Sequence, residues 1–361
     1  MRPKSFALPI ALLLAATSCK DDGDSSGQAG SSGGSETGTD DGQDDGQDDG
    51  QDDGPDDGPD DGPDDGPDDD NDDDGSSGED DTADADDTSG ETGDPPPSGD
   101  PVLPAVTGTC PDFGPALGAF GADLVFDHAE IAPRTVRIWA GPEAAEMDGP
   151  ILFYWHGTGG NTEEAIWGYD WPNVEATMAA GGIVVSPSAD PAAGQFPWFL
   201  LDENRMDDVL LMDEIVACAE QEVGIDDRRI HTSGFSAGGI FTVDLSWLRS
   251  NYLASVVSYS GGAFTGGHFA DQNPTNLMAA MSIHGGVTDV WMGQVEFVQS
   301  SENYASQMLA AGKFAFVCDH GQGHAIGLQN EVVQFFNDHP WGTVPSPYDG
   351  NLPSASCYMV D

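Results

Sequence analysis

Positive charge is scarce in this sequence. Its 361 residues hold 10 Lys and Arg against 65 Asp and Glu, a formal charge of −55. So few cations cannot form the basic face that nucleic-acid binding requires. Long apolar runs are also missing. The run over residues 6–16 has about eleven residues, well short of the about 20 that a membrane-spanning helix needs. The five cysteines are too widely spaced for a zinc site. No metal and no organic cofactor is expected.

The acid is divided between two unlike segments. Residues 1–100 carry 33 of the 65 acids, and after the opening leader they are nearly all Asp, Gly, Ser, Pro and Gln. Such a composition cannot bury a core, so residues 20–100 are expected to be a disordered linker. Within it a four-residue repeat runs as Gln-Asp-Asp-Gly from Gln43 and as Pro-Asp-Asp-Gly from Pro55. Gly opposes helix, Pro opposes strand pairing, and paired Asp repel their neighbours. The physical reading is an extended, solvated spacer that could reach roughly 270 Å if fully stretched. Asp pairs beside Gly give it at most a weak, non-stoichiometric association with Ca²⁺. The ligand cycle of a folded calcium loop is absent from the repeat.

Residues 1–19 read as an export signal. Arg2 and Lys4 precede the apolar run, and small residues precede Cys19. The end of the run, Leu14-Ala-Ala-Thr-Ser-Cys19, resembles a bacterial lipoprotein signal. That resemblance implies lipidation of Cys19 and a membrane anchor in the cell envelope, with extracellular release as the alternative destination. Four cysteines then remain: Cys110, Cys218, Cys318 and Cys357. An even number in an exported chain suggests two disulfides, and three pairings are open.

Residues 101–361 are rich in Val, Ile, Leu, Phe and Trp and suit one large domain. From about residue 132, short β-rich runs alternate with helical patterns. Strands are expected near 135–140, 151–156, 182–187, 229–233, 254–259, 279–284 and 313–318. Helices are expected near 173–180, 207–223, 238–249, 296–311 and 325–337. Asp207 and Asp208 stand where carboxylates favour a helix start. Strands separated by helices imply an α/β fold, with a mostly parallel sheet covered on both faces. About twenty residues, rich in Gly, Asn and Thr, separate Tyr259 from Ala279. No large lid domain fits there.

In such a sheet, function gathers in the loops after the carboxyl ends of strands. One loop holds Gly234-Phe-Ser236-Ala-Gly238, the spacing of a nucleophile elbow, in which a sharp strand-to-helix turn presents a serine. Two other matches, around Ser25 and Ser32, lie in the acidic segment with no strand before them and no helix after. Context therefore selects Ser236. Serine needs a base oriented by an acid. In the order Ser, acid, His, the candidates are Asp289 and His324, which lie 53 and 88 residues beyond Ser236. The weaker competitors are Asp271 and Asp319 for the acid, and His320, His268 and His284 for the base. His284 reads better as a packing residue at a strand end, and His156 as one that shapes a Gly turn. The oxyanion donors are expected to be the backbone N–H groups of Ala237 and, from loop 156–160, Thr158.

Phe153-Tyr-Trp-His-Gly-Thr-Gly-Gly160, Thr232-Ser-Gly-Phe-Ser-Ala-Gly-Gly239, His284-Gly-Gly-Val-Thr-Asp-Val290 and Gly323-His-Ala325 together resemble the polyhydroxybutyrate depolymerase and feruloyl esterase branch of α/β-hydrolases. The similarity spans roughly residues 130–340. It implies an α/β-hydrolase fold and hydrolysis of carboxylic esters, in a polyester or on plant-wall polysaccharide, through an acyl-enzyme. Trp155, Trp167, Trp171, Trp198 and Trp291 lie near expected loop edges, where they could line a groove for a polymer. A net charge of about −25 on residues 101–361 disfavours polyanionic substrates. Two rival readings are a serine peptidase of the prolyl-oligopeptidase type, which would need room for a second domain, and a non-catalytic surface protein that binds polysaccharide.

Overall fold

A computed structural model describes residues 99–200, 205–264 and 273–360. The leader, Cys19, nearly all of the acidic segment, His268 and Asp271 lie outside the described residues. So do residues 265–272 of the connection expected to lack a lid.

The strand-forming runs are β1 (Gly118–Phe126), β2 (Arg134–Ala140), β3 (Ile151–Trp155), β4 (Ile183–Pro187), β5 (Ile230–Phe235), β6 (Ser255–Tyr259), β7 (Ala279–His284), β8 (Val290–Trp291), β9 (Val295–Glu296), β10 (Ala315–Asp319) and β11 (Cys357–Tyr358). The α-helices are α1 (Glu164–Tyr169), α2 (Trp171–Ala179), α3 (Asp207–Glu222), α4 (Ala237–Leu248), α5 (Phe297–Ala310) and α6 (Gln329–Asp338). Nine strands form one sheet in the order β1-β2-β4-β3-β5-β6-β7-β10-β11. β4, β3, β5, β6, β7 and β10 run parallel, while β1, β2 and β11 pair antiparallel at the two edges. β8 and β9 form a separate hairpin.

The central strands are buried without alternation because both faces are covered. Phe153 and Trp155 of β3 enter one core with Val209 and Ile215 of α3, Phe241 of α4 and Tyr304 of α5. Leu152 and Tyr154 enter the other, with Tyr169 of α1, Val174 of α2 and Phe335 of α6. Trp155 and Trp198 are fully buried, so neither can face a substrate groove as their loop-edge positions suggested.

The segment before β1 is pinned to the folded body. Glu214 of α3 is buried and accepts from Thr107 N at 3.0 Å, Thr107 Oγ1 at 2.7 Å and Gly108 N at 2.8 Å. One helical turn later, Cys218 is joined to Cys110. The second disulfide joins Cys318 of β10 to Cys357 of β11. At its start, the segment donates from Val102 N to Asn251 O and accepts at Gly99 O from Trp341 Nε1. Asn251 precedes β6, so the described chain begins at the amino-terminal edge of the parallel strands.

Candidate active site

The strand-to-helix turn between β5 and α4 is tight enough to require its glycines. A Cβ on Gly238 would stand 1.8 Å from Trp155 O, and one on Gly234 would stand 2.4 Å from Gly238 O. Ser236, at the apex, is held at φ 54° and ψ −116°. That backbone region strains any residue with a Cβ. Its N–H donates to Tyr259 O at 2.9 Å on the neighbouring strand end. The amino terminus of α4 begins at Ala237, so the helix dipole is directed at the serine.

The loops after β7 and β10 bring Asp289 and His324 to this turn. His324 Nε2 lies 3.0 Å from Ser236 Oγ, and His324 Nδ1 lies 2.7 Å from Asp289 Oδ1. A carboxylate only accepts, so Nδ1 carries the proton and Nε2 faces the serine hydroxyl with its lone pair. The imidazole is held between Phe297 and Phe235, each 4.7 Å away between ring centroids. Asp289 is fully buried. Its second oxygen accepts from Ser260 Oγ at 2.7 Å and from Gly285 N at 2.9 Å. Both carboxylate oxygens are thereby engaged, which compensates for their removal from water.

Across the turn lies loop 156–160. Gly157 N donates to Glu164 Oε1 at 2.9 Å, so that amide is committed. Gly157 O accepts from Gly160 N at 3.0 Å and is bonded to His156 Nδ1 at 2.9 Å. In a trans peptide the carbonyl and the following N–H point in opposite directions. Fixing Gly157 O therefore fixes the Thr158 N–H, which points away from these partners. Among the described residues, neither the Thr158 N–H nor the Ala237 N–H is committed to a protein acceptor. His156 is buried, and burial lowers its pKa from the ordinary imidazole range. Glu164 also accepts from Tyr154 Oη at 3.2 Å, and burial raises its pKa.

Among the described residues, the competing candidates are placed elsewhere. Asp319 ends β10 and lies 3.6 Å from His284 Nδ1. His320 Nδ1 accepts from Gln322 N at 3.3 Å within its own loop. His284 is buried and bonded to Tyr358. Asp208, at the start of α3, is turned inward to Arg134 at 3.0 Å and accepts from Phe199 N, tying the chain after β4 to the helix. Among the described residues no group of three His, Cys, Asp or Glu is arranged to hold a metal ion. Two supporting residues, Ser260 and Glu164, are not marked as functional by the sequence. Ser260 carries no motif, although it directly follows a strand. Glu164 lies seven residues beyond Gly157 with only an ordinary helix start to mark it.

Residues 199–339 match the phospholipase/carboxylesterase family. Feruloyl esterase D of Neurospora crassa is 25% identical over 203 residues, which cover 54% of this chain and 68% of that one. A probable feruloyl esterase C of Aspergillus flavus is 28% identical over 141 residues. That match spans about half of the relative's length, 47%, and 37% of this chain. Among solved structures, a complex of a pOPH variant with DMSO superposes with a TM-score of 0.55 at 17% identity, covering 70% of this chain and 96% of that one. The sheet order and the solved structure give the α/β-hydrolase fold, and the family match over residues 199–339 with these relatives supports a carboxylic ester hydrolase.

Proposed function

We propose that the protein is an exported serine esterase in which Ser236, His324 and Asp289 act as nucleophile, base and orienting acid. The observation that carries this reading is the continuous chain from Ser236 Oγ to His324 at 3.0 Å and from His324 to Asp289 at 2.7 Å. Ser236 Oγ attacks the ester carbonyl while its proton passes to His324 Nε2. Asp289 holds the imidazole in the required tautomer and stabilises the imidazolium. The N–H groups of Ala237 and Thr158 receive the oxyanion, and the alcohol leaves with the proton from His324. Water, deprotonated by the same histidine, then releases the acid.

The rim supports one class of substrate. Val287 and Met292, which flank the acid in sequence, are exposed apolar side chains. Trp291 packs against Phe196 with centroids 6.0 Å apart. Exposed apolar side chains beside the acid, on a strongly acidic domain, favour a neutral, bulky or polymeric ester, such as a polyhydroxyalkanoate or the feruloyl and acetyl groups of a polysaccharide. A lipid on Cys19 and the acidic tether would hold residues 101–361, the catalytic domain, at the cell envelope.

The test is a substrate panel of p-nitrophenyl acetate, polyhydroxybutyrate film, methyl ferulate and acetylated xylan, run beside Ser236→Ala. The expected result is turnover of at least one ester by the wild type and none by the variant. Equal hydrolysis by both proteins would overturn the assignment.

A further inference from the structure

We propose that the C-terminal strand acts on the acid of the triad through His284, making Tyr358 and His284 positioning residues. This rests on the reading of Asp289 as that acid. Four bonds form the connection. Tyr358 Oη donates to Glu302 Oε1 at 3.0 Å, and His284 Nε2 lies 3.0 Å from the same Oη. Gly286 N donates to His284 Nδ1 at 3.0 Å, and Gly285 N donates to Asp289 Oδ2 at 2.9 Å.

The protons in this chain have one arrangement. An amide N–H points at Nδ1, so that nitrogen holds a lone pair. The Tyr358 proton is directed at Glu302, so the phenol oxygen accepts from His284 Nε2–H. Each group then donates once along the line, and every donor is used. Asp319, the other carboxylate facing the ring, has its Oδ1 3.6 Å from Nδ1 and accepts there from Gly321 N at 2.8 Å.

The geometry carries this alignment into the triad. Gly285 donates to Asp289 and also accepts from Gly323 N at 2.8 Å, next to His324. His284 O accepts from His320 N at 3.0 Å. The acid loop and the base loop are therefore joined along residues 284–285. A Cβ on Gly285 would stand 1.8 Å from Gly323 O, so the two backbones touch with no slack. Tyr358 is itself fixed, paired with Val317 of β10 and adjacent to the disulfide between Cys357 and Cys318. Loss of the His284 Nδ1 acceptor would release Gly286 N, in the peptide that directly follows the one presenting Gly285 N to Asp289.

The experiment compares Tyr358→Phe, His284→Gln and Asp289→Asn with the wild type on p-nitrophenyl acetate, with melting temperatures measured in parallel. The low-field proton resonance of the His324–Asp289 hydrogen bond is followed by NMR. Tyr358→Phe keeps the ring and removes both the acceptor for His284 Nε2–H and the donor to Glu302, so kcat is expected to fall about 10-fold with KM within about two-fold. The low-field resonance should shift or broaden. An unchanged kcat and an unchanged resonance in a folded Tyr358→Phe protein would overturn the proposal. If Asp289→Asn keeps full activity, the acid assignment itself fails. If Asp289→Asn is inactive while both other variants match the wild type, the assignment stands and the proposal alone is lost.

Discussion

Ser260 and Asp289 meet across the ends of two adjacent strands, with the serine hydroxyl donating to Asp289 Oδ2 at 2.7 Å. Ser260 holds a φ of 42° to do this, and its N–H is tied to Ile283 O at 2.7 Å. Left-handed backbone at a non-glycine residue costs about 1–2 kcal/mol. The contact offsets that cost by completing the shell of a buried carboxylate. Replacing Ser260 with Ala should lower kcat about 10-fold with little change in KM, since a hydrogen bond to a charged group is worth about 1.5–3 kcal/mol. Asp289→Asn should cost far more, because it disturbs the tautomer of His324 as well. Steady-state kinetics on a soluble ester decide it, and equal rates for Ser260→Ala and wild type would refute the role.

The strain at Ser236 yields a separate prediction. The strain of its φ of 54° falls on any side chain that has a Cβ. Ser236→Ala and Ser236→Gly should therefore both be inactive but differ in stability. Glycine should be the more stable, by about 1 kcal/mol, because it adopts positive φ without a steric penalty. Urea denaturation of the pair measures this, and a glycine variant no more stable than the alanine one would contradict the reading of strain.

The donor assigned to Thr158 is a backbone group, so its side chain should matter little. Thr158→Ala is expected to keep activity near that of the wild type. Thr158→Pro removes the N–H and should reduce kcat by about 10²–10³. Glu164→Ala frees Gly157 N, which now donates to the carboxylate at 2.9 Å, and should give a smaller loss of kcat. Circular dichroism on each variant separates misfolding from a lost donor. Full activity in a folded Thr158→Pro protein would remove Thr158 from the site.

Much of this arrangement is written locally. The continuous apolar run of β3 and the Ile-Val-Val of β4 declare a sheet buried on both faces, and the Gly-x-Ser-x-Gly turn falls between a strand and a helix. The order Ser236, Asp289, His324 places each at a different strand end. What remained hidden depends on distant partners. β1 is broken up by Gly118 and Gly121, and the structure accommodates them with a register shift between Gly118 and Ala122 and a φ of 66° at Gly121. β11 is two residues long and exists because β10 offers it an edge. The cysteine pairing is a product of topology, since spacing alone left three choices. Ser260 and Tyr358 gain their roles from contacts 29 and 74 residues away, which no local pattern records.

The histidines also set the response to acid. Burial lowers His156, His231, His284 and His339 below the ordinary imidazole range, and His231 well below it. Such a group stays neutral to lower pH in the folded state than in the unfolded chain, which gains the proton below about pH 6.5. Its contribution is therefore present above that pH and is lost as the pH falls, with a limiting slope of about 1.4 kcal/mol per pH unit for each histidine. Asp244 works in the opposite sense. Burial raises its pKa to about 7, so the folded state takes up a proton before the unfolded one does, and acidification from pH 7 toward 4 stabilises it. The wild-type curve sums these effects with those of Glu164, Asp207, Asp208 and Glu214, whose carboxyls are also shifted, so a variant isolates a single group. His231 can be isolated because it lies in β5 away from the triad, bonded to Ser255 Oγ at 2.8 Å and stacked on Phe336. His231→Gln should be less stable than wild type at pH 7.5, through lost stacking, yet lose less stability between pH 6.5 and 5. The two curves of unfolding free energy against pH should converge as the pH falls. Parallel curves would mean that His231 does not resist protonation in the folded protein.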